Sequence, residues 1–126
     1  MNELTDYNSL KKYFDNETFV LKTQQQIAKD FAKLNLFFSD NFESQVLSKD
    51  EIELQIGQQL VEIIKEGETR LLQLLYTIDL SEKEFLHLTT QANFIQELSK
   101  KILFREAYKV FLRTKFSSTT NVKDEN

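Results

Sequence analysis

Two constellations combine residue types and spacing that could do chemistry. The first is Glu84-x-x-His87. On a helix, residues three apart share a face, and a Glu-x-x-His pair is the ligand unit of di-iron bundles. Such a centre needs two of these motifs and two more carboxylates. His87 is the sole histidine. Glu84 also stands three residues after Ser81, where a capping box would engage its carboxylate. Glu84 and His87 are therefore a weak metal candidate, and no cofactor is expected. The second constellation is a basic ladder: Lys101, Arg105, Lys109 and Arg113 recur every four residues, with Phe104, Tyr108 and Phe111 between them. On a helix this gives a cationic stripe beside aromatic rings, a combination that can hold phosphates and stack bases. The competing explanation is that cations suit a helix C-terminus and that the rings fall at core spacing.

Other chemistries find little material. The sequence has no cysteine, so thiolate metal sites and thiol nucleophiles are excluded. Gly57 and Gly67 are the only glycines, so no phosphate-cradling glycine loop can be written. Asp50-Glu51-Ile52-Glu53 and the Glu62, Glu66 pair are too sparse for the carboxylate clusters of helical nucleotide pyrophosphohydrolases. Leu71-x-x-Leu74-Leu75 matches a partner-groove pattern, but in so apolar a stretch it reads as core. Charge is uneven: Asp40 to Glu84 holds 11 acidic residues against four basic ones, and Lys100 to Phe116 six basic residues against Glu106. The whole chain is acidic, with a pI near 5.1, which counts against nucleic acid.

The elements that must position these residues are helical. The 126 residues include no proline and much Leu, Gln, Glu and Lys, which favours helices over a turn-rich β fold. Tyr7, Leu10 and Phe14 predict a short helix from Asn8 to Phe14. A second helix is expected from Glu17 to Leu36, burying Val20, Ile27, Phe31 and Leu34 and leaving Gln24, Gln25 and Gln26 on its surface. Residues 37–47 break the period, yet Phe37, Phe38 and Phe42 should pack down rather than stay in water. Ser48 with Glu51 is a capping box and Leu47 with Ile52 a hydrophobic staple, starting a helix that runs to Glu66. Gly57 inside that helix marks a close crossing, and Gly67 its stop. Residues 71–78 read as a central helix apolar around much of its girth, with Leu72 and Tyr76 on a second face. Ser81 and Glu84 repeat the capping box, launching one long helix from Glu82 to about Lys115.

The stretch Arg70-Leu71-Leu72-Gln73-Leu74-Leu75-Tyr76-Thr77-Ile78-Asp79-Leu80-Ser81-Glu82-Lys83 resembles a corner in small uncharacterised all-helical bacterial proteins, Leu-Leu-Tyr-x-Ile-Asp-x-Ser-Glu followed by a helix ending in basic and aromatic residues. The resemblance covers the second half of the chain. It supports the helix–corner–helix reading and implies no activity or site residue.

The expected fold is an all-α bundle of four main helices, with a short N-terminal helix and a long C-terminal one. Residues 1–116 form a single domain, and residues 117–126 a disordered polar tail. No signal peptide and no apolar run of bilayer-spanning length is visible, so a cytoplasmic protein is expected. The expected function is non-enzymatic: a protein-interaction module, self-associating through Lys101, Phe104, Arg105, Tyr108, Lys109, Phe111 and Arg113. The alternatives are nucleic-acid association through the same face and a metal-dependent bundle enzyme using Glu84 and His87.

Overall fold

The computed structural model describes residues 11–124, with side chains from residue 12 to residue 115. Five α-helices follow a single 3-10 turn, and no strand occurs among these residues. The turn is Lys11–Asp15. The expected helix from Asn8 to Phe14 therefore lies partly outside the described residues, and its described part is a 3-10 turn.

Helix α1, Glu17–Ala32, starts at Asn16, whose side-chain oxygen accepts from the Phe19 N–H at 3.0 Å. It stops four residues earlier than the periodicity suggests. Asn35 adopts a left-handed φ of 61°, which a short polar side chain tolerates. The chain then doubles back, and the Leu36 N–H donates to Phe31 O. Leu34 and Leu36 are still buried, so the apolar pattern persists past the helix end. Arg70 donates to the free Leu34 carbonyl at 2.6 Å and to Glu66 at 2.8 Å.

Of the glutamine run, Gln25 is exposed as its polarity suggests, but its two neighbours are not. Gln24 is wholly buried and Gln26 nearly so. Gln24 Nε2 donates to Phe42 O and Gln45 O, each at 2.7 Å, and its Oε1 accepts from Leu47 N at 2.8 Å. One amide thus satisfies three backbone groups of the loop over residues 37–47. Phe42 and Phe38 stack at 4.3 Å, and Phe38 meets Phe31 edge-on at 5.0 Å. Phe37, expected to pack with them, is 66% exposed.

Helix α2, Lys49–Glu66, begins at Ser48, which caps Glu51 N at 3.1 Å. Only half of the expected box forms, because the Glu51 carboxylate accepts from Gln55 instead. Ile52, Ile56, Leu60 and Ile63 are fully buried. A Cβ on Gly57 would stand 3.3 Å from Ser99 Oγ and 3.5 Å from Ile95, so this glycine does mark a close crossing. Gly67, at φ 121°, ends α2 and opens α3, Glu68–Ile78. Leu71, Leu74, Leu75 and Ile78 face inward, but Tyr76 is 76% exposed, so α3 is one-sided rather than apolar all round. Asp79 turns left-handed at φ 67°, and Leu80 N closes onto Leu75 O.

The Ser81–Glu84 box forms in both directions and starts α4, Glu82–Leu88. The expected continuous helix from Glu82 to Lys115 is broken here. Thr89 and Thr90 turn their hydroxyls onto Leu86 O and His87 O at 2.7 Å, offering the carbonyls local partners. The break lets Phe85 and Phe94 meet edge-on at 5.8 Å, and it leaves Ala92 exposed. Helix α5, Phe94–Asp124, is then the longest element. It extends over residues 117–124, where the sequence suggested a disordered tail; lengthening a formed helix costs far less than nucleating one. Leu98, Ile102, Leu103 and Ala107 are fully buried where α5 crosses α1 and α2.

Gln24→Ala should destabilise the protein by about 2–3 kcal/mol, since it strands two carbonyls and one N–H. Urea unfolding monitored by circular dichroism measures this. A change near zero would mean that water replaces the amide.

Candidate functional site

The four-residue spacing of Arg105, Lys109 and Arg113 brings them to one side of α5. That side faces the bundle. Arg105 Nη2 reaches Asp79 Oδ2 at 2.9 Å, and its guanidinium lies 5.7 Å from the Tyr108 ring centre. Lys109 Nζ lies 2.7 Å from Asp30 Oδ2 on α1, and donates to Thr77 O on α3 at 3.2 Å. Arg113 donates to Gln26 Oε1 at 2.8 Å, and Gln26 donates in turn to Asp30 Oδ1 at 3.1 Å. Three of the four ladder cations are thus engaged within the chain, while Lys101 is exposed.

The aromatic members are engaged as well. Phe104, Tyr108 and Phe111 stack along α5 at 6.1 and 6.4 Å. They pack with Ala107, Tyr13, Phe14 and Phe19 into a second small core, with Tyr13 edge-on to Phe111 at 5.4 Å. The turn before α1 and the start of α1 therefore cover this ridge in the same chain.

The most unusual chemistry is Glu106, in sequence the one acid of a basic stretch. It is fully buried, and Asp30 is 1% exposed. Lys109 Nζ lies 3.4 Å from Glu106 Oε1, but neither carboxyl oxygen receives a hydrogen bond. Burial, and next the neighbouring Asp30 charge, push the Glu106 carboxyl up to about 9. At neutral pH it is an uncharged acid with a proton to share. Asp30 behaves oppositely. Burial works against its charge, but hydrogen bonds from Lys109, Glu106 and Gln26 hold its carboxyl below the usual range. The spacing did carry a signal: Leu103, Glu106, Ala107 and Val110 share one helical face, and the other three are buried.

A carboxylic acid beside a carboxylate and an amine resembles catalytic equipment. Here it is sealed. Neither the groove beside α2 nor the smaller hollow at Phe37 and Phe38 is lined by Asp30, Glu106 or Lys109. The other chemical candidate stays apart: Glu84 serves the α4 cap and His87 is exposed. Among the described residues, no three His, Asp or Glu side chains converge as metal ligands.

Exposed apolar residues are scattered over Phe37, Tyr76 and Leu86, and grouped on α2, where Leu54 is 57% exposed, Val61 lies beside it opposite the buried isoleucines, and Ile64 sits at the flank. Beside them runs a groove of about 470 Å3 between α2 and α5, lined by Leu54, Gly57, Val61, Ile95 and Ser99 among others. Its floor is the close crossing at Gly57. No helix among the described residues is long and apolar enough to cross a membrane. Comparison with protein families, curated proteins and solved structures finds no match for this chain.

The buried cluster makes stability depend on pH in a definite direction. Between the ordinary Glu value of 4.5 and about 9, folded Glu106 holds a proton that the unfolded chain releases. Its contribution is therefore full below that window and is lost as pH rises through it, on the order of 1 kcal/mol per pH unit. Asp30, with its lowered value, acts the other way, losing its contribution as pH falls below 3.8. Glu106→Gln should remove the decline between pH 5 and 9 and be more stable than wild type at the alkaline end; an unchanged slope in denaturant titrations would refute this. Lys109→Ala leaves Asp30 charged and buried, and should cost about 3 kcal/mol. Thermal unfolding at neutral pH tests it.

Proposed function

We propose that this chain is a non-enzymatic protein-interaction module whose docking surface is the outward face of α2 with the groove beside it. The observation that carries the reading is the exposed apolar pair Leu54 and Val61, set on the side of α2 opposite its core face, with Ile64 at the flank. An apolar row along one helix, flanked by a groove, suits another helix laid against it. The sequence expectation placed this role on α5. The ridge of Phe104, Tyr108 and Phe111 is already packed on Tyr13, Phe14 and Phe19, so the role moves to α2. The nucleic-acid alternative loses support in the same way, because Arg105, Lys109 and Arg113 bind Asp79, Asp30 and Gln26. The cysteine-free sequence suits a reducing compartment such as the cytoplasm.

A photo-crosslinking residue in place of Gln58, beside the row, tests this in cells that make the protein. Adducts that disappear on Leu54→Lys support the reading. A crosslinker at exposed Gln73 is the control, and equal labelling from both positions, or none from Gln58, overturns it.

A further inference from the structure

We infer that the outward face of α2 is self-complementary, and that its occupant is the same helix of a second copy, packed antiparallel about a two-fold axis. The inference rests on the docking role proposed for this face. At about 100° per residue, Asp50, Leu54, Gln58, Val61 and Lys65 fall within a stripe about 80° wide. All five are exposed, Leu54 at 57% and the Lys65 side chain at 68%.

The order of chemistry along the stripe is palindromic about its middle. In an antiparallel pair centred between Gly57 and Gln58, Leu54 meets Val61 of the other copy. Asp50 meets Lys65, and the two Gln58 side chains flank the axis. Each apolar residue thus has an apolar partner and each end charge an opposite one. The rotation generates every contact twice, which is the requirement for a closed isologous dimer. Antiparallel packing also sets the two helix dipoles head to tail. Glu53 and Glu62 fall opposite one another at the edges of the contact; Glu53 has Lys49 at 3.3 Å on its own helix, and Lys65, now 3.5 Å from Glu62, would stand between Glu62 and Asp50 of the other copy. A parallel pair would set Asp50 on Asp50 and Lys65 on Lys65. The end charges therefore select the antiparallel arrangement.

One helix face per copy is a small interface, so the dimer should be concentration-dependent rather than obligate. Sedimentation equilibrium of the full chain should show monomer and dimer in exchange, with the dimer lost in Leu54→Lys. Asp50→Lys alone and Lys65→Asp alone should each weaken the dimer by about tenfold, and the double swap should restore it to within about threefold of wild type. Recovery in the double swap is the signature of this register, and neither a fold defect nor a different surface produces it. Because the chain has no cysteine, Gln58→Cys gives a second reading. It should oxidise to a disulfide dimer much faster than Gln73→Cys. A monomer at millimolar concentration, or a double swap that stays as weak as the single changes, overturns the inference. Gln58 adducts in cells that contain a different polypeptide, with no copy of this chain, would also overturn it while leaving the docking role intact.

Discussion

Lys109 holds three helices together at one point. Its ammonium is 2.7 Å from Asp30 on α1, 3.2 Å from the Thr77 carbonyl on α3, and 3.4 Å from Glu106 on its own helix. Two carboxyls and one amine would be an expensive burial if all three were ionised. The proton kept on Glu106 leaves one negative and one positive charge, which is a balanced pair. Balance makes the cluster tolerable, and geometry makes it specific. A shift of α5 by one turn along α1 would separate Lys109 from Asp30 and leave a bare charge in the interior. The apolar contacts around Leu98, Ile102 and Leu103 would tolerate several registers; the polar contacts fix one.

The cluster also changes how the basic ladder of α5 is read. Three of the six basic residues over Lys100 to Phe116 turn back onto the preceding segments, meeting Asp79, Asp30, the Thr77 carbonyl and the Gln26 amide. What looks in one dimension like a cationic surface is, in three, a seam. On the back of α2, by contrast, the exposed polar positions are interrupted by the exposed apolar side chains Leu54 and Val61.

The all-α class was legible in the sequence, and so were the features with local causes. Ser48 and Ser81 start helices, and Gly57 marks a crossing, because caps and missing side chains act over a few residues. Features decided by distant partners were not legible. Gln24 looks like helix surface until the loop over residues 37–47 brings three backbone groups to it. Phe37 looks like core and is not, because Phe38 and Phe42 already fill the space over Phe31. Thr89 and Thr90 carry no proline or glycine to announce a break, yet two hydroxyl bonds and the meeting of Phe85 with Phe94 favour one. The basic ladder was visible as a pattern; its direction depended on Asp30, 79 residues from Lys109.

That separation bears on how the chain is made. Helices α2 and α3 adjoin in sequence and can meet early, since closing a short loop is fast. Helix α1 can form as well, but its partner for Asp30 and the cover for much of its apolar face lie near the other end of the chain. During synthesis those surfaces stay open until the segment from Leu98 to Val110 has cleared the ribosomal tunnel. Folding of the bundle is therefore completed only when α5 arrives, and the chain before that point exposes the apolar face of α1.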